Sequence, residues 1–258
     1  MMTPFIRTAS FLLLLSPLAL SAKIKRDLDH SFPVSAGSEI KVDISGGSID
    51  VDVVPGDTAS LTLHQTFKTN DESDIDDILA DYEITFEQQG KDIVLAVKRS
   101  KHGGGWFSGW KNNRANFSVS LSCPEFVALN LDTSGGSIRV DGAVTGDLIA
   151  DTSGGSIKVT GGSGDINLDT SGGSITIDQA TGKLRADTSG GSIRIGLDPR
   201  GGYDLHADTS GGSVSIKDLA ITPRKMSRTH AEGKINDGGA RVRADTSGGS
   251  ITIYAADL

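Results

Sequence analysis

Cysteine is almost missing from this chain: Cys123 stands alone among 258 residues, so no internal disulfide can staple the fold. Aromatic residues reach only 5%, too few for a thick core of large side chains and better suited to thin layers. Basic excess is missing too. The formal charge of -8 argues against nucleic-acid phosphate as a partner and suits a chain whose copies repel one another. No zinc-ligand spacing, phosphate-cradling glycine loop, nucleophile elbow or paired-histidine motif occurs, so neither a catalytic residue nor a cofactor site is expected.

Long hydrophobic runs are also lacking, with one exception. After Arg7 comes "TASFLLLLSPLALSA", followed by "KIKRD". A positive start, an apolar stretch of roughly 12 residues and small residues at its end describe a secretory signal over 1–22, cleaved near Ala19 to Ala22. The run is too short, and too interrupted by Pro17, to span a membrane. No cysteine follows it, so no lipid anchor is expected. Export to the periplasm, the cell surface or the medium follows, with one mature domain over 23–258 and no transmembrane span within it. Cys123 lies in register with Phe117, Val119 and Leu121 on the alternating run "FSVSLSC", which predicts a buried, inert thiol.

Glycine is what the chain has in abundance, 33 residues, and much of it falls in a repeat. "DTSGGSI" starts at Asp132, Asp151, Asp169, Asp187 and Asp245, with a variant ending in Val at Asp208 and an imperfect "DISGGSI" at Asp43. From Asp132 onward the steps are 19, 18, 18, 21 and 37 residues. The last step suggests one diverged coil between Asp208 and Asp245. The 89 residues before Asp132 suggest either degenerate coils or an inserted subdomain after Asp43.

Within each repeat the period is two. Leu148, Ala150 and Thr152 alternate with Ile149 and Asp151, and Ile157 and Val159 alternate with Ser156 and Lys158. Each repeat therefore offers two short half-buried strands around an "SGG" bend, whose glycines are expected to supply unusual backbone angles. Two such strands cannot bury their apolar face alone, whereas stacked coils can. The fold class is all-β: a β-solenoid of stacked coils of roughly 18 residues, two strands each, with an inserted strand and short-helix segment near the N-terminus. A Greek-key sandwich is the structural alternative.

Alternation turns the repeat aspartates outward, stacked about 5 Å apart. The simplest offset to their repulsion is local, each carboxylate accepting N–H bonds from its bend. Arg139, Lys158 and Arg194 after the bend, and Arg185 and Arg243 before it, can add neutralisation. On this reading the aspartates are turn residues, and replacing one costs stability modestly. A calcium ladder is the main functional alternative, since "GGSGDINLD" is faintly similar to calcium-binding nonapeptide repeats. An aspartic-protease pair lacks its "DTG" or "DSG" bend. An ice-binding face conflicts with the inward register of Thr152, Thr170 and Thr188.

The less regular part is an insertion over about 66–116. "SLTLHQTF" reads as a strand, "NDESDIDDILADY" as a short helix with acids in its first turn, and "EITFEQQGKDIVLAVKRS" as a hairpin. "KHGGGWFSGWKNNRANF" then gathers Trp106, Phe107, Trp110, Lys111 and Arg114. This segment is either a lid over the solenoid or a loop that contacts a glycan, a membrane surface or a protein. A basic loop over about 219–238 carries Arg224, Lys225, Arg228, His230 and Lys234. His230 has no acidic or nucleophilic companion at a recognisable spacing, which predicts a solvated loop.

The leader, the early "IKVDISGGSIDV", the mixed insertion, "VSLSCPEFVALNLDTSGGSIRV", the glycine-rich coils and the late "GKINDGGARVRADTSGGSITI" together resemble an exported bacterial family called "putative adhesins". The resemblance runs from about Glu39 to Ile253. It implies a domain of unknown function with a β-solenoid fold, no catalytic residues, and a non-catalytic binding or scaffold role at the cell envelope toward an envelope protein or glycan. The end "SITIYAADL" shows no hydrophobic tail or sorting motif, so the protein is expected either to remain in the periplasm or to be held by a partner. A polysaccharide-acting β-helix enzyme and a calcium-stabilised structural repeat protein are the alternatives. The enzyme would need acids converging with Arg or Lys where the repeat breaks.

Overall fold

A computed structural model of the chain describes residues 23–100 and 114–257. Period-two alternation becomes strand throughout. In its first part the chain forms Ile24–Pro33 (β1), Glu39–Ile44 (β2), Ile49–Val53 (β3), Thr58–Phe67 (β4), the helix Asp74–Leu79 (α1), Tyr82–Gln89 (β5), Asp92–Arg99 (β6) and Ala115–Cys123 (β7). The repeats follow as Ala128–Thr133 (β8), Ile138–Val144 (β9), Leu148–Thr152 (β10), Ile157–Gly162 (β11), Ile166–Thr170 (β12), Ile175–Ala180 (β13), Leu184–Thr188 (β14) and Ile193–Leu197 (β15). Tyr203–Thr209 (β16), Val214–Lys217 (β17), Ile221–Met226 (β18), His230–Ile235 (β19), Ala240–Thr246 (β20) and Ile251–Ala255 (β21) complete it.

These strands make two long sheets, a β-solenoid with one strand of each coil in each sheet. One runs β1-β4-β7-β3-β9-β11-β13-β15-β21-β17 and the other β18-β19-β16-β20-β14-β12-β10-β8-β2-β6-β5. Equivalent residues pair coil to coil: Asp151 lies in parallel register with Asp132 on one side and Asp169 on the other. Inward side chains such as Leu148, Ala150, Ile157 and Val159 are fully buried between the sheets. Each large one contributes about 1.5–3 kcal/mol. Thr152, Thr170 and Thr188 are buried with them.

The bends owe their glycines to close packing more than to torsion. Among the "SGG" glycines only Gly47 has positive φ, 91°. The second glycine of each bend instead lies flat against the bend of the neighbouring coil: a Cβ on Gly155 would sit 2.0 Å from the Gly136 carbonyl oxygen, and one on Gly173 1.9 Å from that of Gly155. No side chain fits there, whereas the first glycine of the pair, Gly154, faces only ordinary contacts at 3.5 Å.

The order of the coils departs from the sequence at both ends. Asp43 is in direct register with Asp132, so no degenerate coil separates β2 from β8. The chain between them leaves the array and adds to its outer edge: β6 and β7 pair in parallel with β2 and β3, and β4, β1 and β5 close that end antiparallel. At the other end β20 and β21 are inserted between the coil of Asp187 and the coil of Asp208. The diverged coil expected between Asp208 and Asp245 is instead the antiparallel pair β18–β19, set against β16. The step of 21 residues before Asp208 is the physical cause. Its three extra residues let the chain cross two rungs, about 10 Å, leaving a slot that the last coil fills.

Antiparallel strands thus end both sheets at the β1 and β5 extremity and one sheet at the other, through β18–β19, whereas the 10-stranded sheet ends on β17, parallel to β21. No helix among the described residues is long and apolar enough to cross a membrane. The leader expected over 1–22 lies outside the described residues.

Candidate functional site

The β18–β19 hairpin, the segment expected to be a solvated loop, rises beside the outer face of the 11-stranded sheet and bounds a groove of about 990 Å³. Three neighbouring strands set its chemistry. On β16 the outward residues are Asp204, His206 and Asp208; across the antiparallel register on β19 stand Lys234, Glu232 and His230; across the parallel register on β20 stand Arg241, Arg243 and Asp245. The groove continues over β10, β12 and β14 past Ile149, Asp165, Lys183 and Arg185.

Most of its charges are paired. Lys183 meets Asp165 at 2.9 Å, Arg224 meets Glu232 at 3.0 Å, and Arg243 meets Asp245 at 2.6 Å. Lys234 and Arg241 flank Asp204 in register yet close no ion pair among the described residues. Ile149 is 45% exposed on the groove floor. This surface offers free cations beside one exposed apolar side chain, which suits an extended anionic ligand.

The middle and last rows bring together residues that sequence spacing left apart. His230 Nδ1 lies 2.9 Å from Asp208 Oδ2, and its Nε2 lies 4.0 Å from Glu232 Oε2. His206 packs edge-on to His230 with ring centroids 5.3 Å apart. The His230 side chain is only 13% exposed, and its Nε2 is buried with no hydrogen-bond partner among the described residues. The companions of His230 are therefore real but lie on a neighbouring strand and two residues along its own, which is why no spacing rule finds them. They also place acids among bases where the repeat breaks, an arrangement the sequence did not suggest.

Every repeat aspartate lies on one outward column, ordered Asp43, Asp132, Asp151, Asp169, Asp187, Asp245, Asp208. Their expected bonds to the bend are made by threonine instead. Gly155, Gly173 and Gly191 N–H donate to Thr152, Thr170 and Thr188 Oγ1, each at 3.3 Å, and each hydroxyl donates to a glycine carbonyl of the preceding bend at 2.8 Å. Threonine wins because it points inward beneath the bend while aspartate points out. The serine after the glycines links coils as well, Ser156 Oγ accepting from Ser174 N–H at 3.2 Å.

Neutralisation of the column is uneven. Asp43 pairs with Lys98, Asp187 with Arg185 and Asp245 with Arg243, while Asp208 meets the His230 ring through a hydrogen bond. Arg139, Lys158 and Arg194 do not serve the column: the first two pair with Asp141 and Asp178, and Arg194 lies over the Tyr254 ring. Partial burial, then the charges of Asp169 and Asp132, push the Asp151 carboxyl above its ordinary value. Partial burial and Asp43 do the same to Asp132. At Asp187 burial raises the value although Arg185 opposes it. Among the described residues the column holds no set of three ligand atoms as close as those of His206, His230 and Glu232.

Of the residues singled out as a partner-binding loop, Trp106, Phe107, Trp110 and Lys111 lie outside the described residues. Arg114 is described and pairs with Asp74 at 3.2 Å. Cys123 is buried on β7, and burial pushes its thiol up to about 12.

The fold and the repeat column define a class of all-β solenoid repeat proteins. The Toastrack family model, DUF4097, matches residues 39–254, and the chain belongs to that family, whose function is uncharacterised. No curated protein matches the chain. Among solved structures it is similar to a "putative cell adhesion protein" from Clostridium sporogenes, 13% identical, covering 89% of this chain and 100% of that one, with a TM-score of 0.37. It is also similar to a "putative adhesin" from Bacteroides fragilis, at 12% identity, 89% and 97% coverage and a TM-score of 0.40. A "putative lipid binding protein" from Parabacteroides distasonis matches at 14% identity, 88% and 96% coverage and a TM-score of 0.28.

Proposed function

We propose that this chain is an exported, non-catalytic binding module of the cell envelope, its mature domain spanning 23–258, and that its groove takes an extended acidic polysaccharide. The observation that carries this reading is the groove's charge. Six basic side chains (Lys183, Arg185, Arg224, Lys234, Arg241 and Arg243) face four carboxylates (Asp147, Asp165, Asp204 and Glu232), in a chain whose net charge is -8. Lys234 and Arg241, without ion-pair partners among the described residues, can bond sugar carboxylates, and the exposed Ile149 side chain can pack on a sugar face. Family membership, in a family whose solved neighbours are named for adhesion, supports binding over turnover.

The test is a glycan array comparing acidic with neutral polysaccharides. Charge-assisted bonds contribute about 1.5–3 kcal/mol each, so a Lys234→Ala/Arg241→Ala variant, which removes two, is expected to lose about 100-fold in affinity or more. A Trp106→Ala/Trp110→Ala variant forms a second arm, its loss assigning part of the contact to the aromatic segment. Equal binding of acidic and neutral glycans, or full binding by the groove variant, defeats the groove reading. Release of new reducing ends by the wild type would show an enzyme instead.

A further inference from the structure

The hairpin end of the groove carries an inference independent of any glycan. We propose that His206, His230 and Glu232 form a binding site for a divalent metal ion of the zinc type, with Asp208 as the outer carboxylate that orients His230.

The donor set is two imidazoles and one carboxylate, whose ligating atoms all lie within 4.8 Å of one another. Nitrogen and oxygen donors in this combination suit zinc and its neighbours, not calcium, which prefers oxygen alone. Zinc bonds of about 2.0–2.1 Å require the three atoms to draw together by roughly an ångström. Half-buried Glu232 and His206 have room to move, while His230 is held. Its Nδ1 is engaged by Asp208 at 2.9 Å, which sets Nε2 as the lone-pair nitrogen facing Glu232. A carboxylate behind a histidine whose other nitrogen meets the metal is the usual outer arrangement of such sites.

The buried Nε2 supplies the second observation. It has no hydrogen-bond partner among the described residues, and an unsatisfied buried polar atom is costly unless something is bound there. A metal ion satisfies it directly. The charged groups nearby permit this. Arg224 holds Glu232 through Oε1 and leaves Oε2 on the His230 side, while Arg243 is occupied by Asp245. His206 and Glu232 both line the groove, so the fourth coordination position opens toward it and is available to water or to an anionic ligand.

The experiment is equilibrium dialysis of the purified, chelator-stripped chain against Zn²⁺, with Co²⁺ absorption as a report of imidazole coordination in a four-coordinate site. Wild type is expected to bind one equivalent. His206→Gln, His230→Gln and Glu232→Gln should each lower affinity about 100-fold or more, and Asp208→Asn about 10–100-fold. His64→Gln should change nothing, since His64 is already engaged by Asp27 and Ser120 elsewhere. Melting curves without metal identify variants that misfold, and Glu232→Gln, on a half-buried side chain, keeps the test available if a histidine variant does so. Wild type that takes up no equivalent, or uptake that persists in well-folded His206→Gln and Glu232→Gln, overturns the assignment. Metal binding without glycan binding would leave this site standing and remove the groove reading alone.

Discussion

Asp151→Asn should stabilise the protein at neutral pH. Asp151 sits in register between Asp132 and Asp169, and among the described residues none of the three carboxylates has an ion-pair partner. Rungs about 4.8 Å apart give roughly 0.8 kcal/mol of repulsion per neighbour in water, and about half of that survives at 0.15 M ionic strength. Two neighbours therefore make the charge cost about 1 kcal/mol, and the exposed side chain argues against a larger value. For a domain of this size the melting temperature should rise by about 2–4 °C. No bend bond is lost, because Thr152 holds the bend; the modest cost expected from sequence is thereby reversed in sign. The pH dependence follows from the raised folded-state value of Asp151. Acidification through that value protonates the folded state first and stabilises the wild type, so the advantage of asparagine is full at pH 7, shrinks on acidification, and is lost below the unfolded carboxylate range near pH 4. Circular dichroism melts at pH 7 and pH 3.5, and at pH 7 in 1 M salt, check this. A lower melting temperature at pH 7, or an increment unaffected by salt and acid, refutes the electrostatic account.

The glycine pair gives a sharp contrast: Gly155→Ala must push a methyl group into a backbone carbonyl and should cost about 3 kcal/mol or more in urea unfolding, whereas Gly154→Ala, with its nearest contact at 3.5 Å, should change stability by less than about 1 kcal/mol. Thr152→Val keeps the volume but leaves the Gly155 N–H and the Gly136 carbonyl short of a partner, for a loss of about 1–3 kcal/mol in the same assay;. Cys123, buried with its thiol pushed up to about 12, should resist thiol reagents at pH 8 in native buffer and react fully in denaturant; fast native labelling would contradict its burial.

The repeat left a clear local record. Alternation around "SGG" specifies two strands per coil, because inward and outward positions differ by one residue and a slip would expose the whole apolar set. It also marked Thr152 and its equivalents as inward, though not as the groups that hold the bends. The candidate site was far less legible. Lys234, Arg241 and the His206–His230–Glu232 group come from segments that interrupt the rhythm, and their meeting depends on which strand lies beside β16. The useful sequence signal was the 21-residue step before Asp208, which marks the place where the chain crosses two rungs.

Sequence alone thus determined the unit of this protein, a thin coil with an inward Ile, Val and Leu column, an outward aspartate and a glycine-rich bend, because those features are set by neighbours along the chain. Tertiary structure decided the order of the units. Near-identical coils offer nearly identical edges to one another, so local pattern does not say that the Asp245 coil enters between those of Asp187 and Asp208. That insertion places β20 and β19 on either side of β16, and through it the groove and its histidine cluster exist.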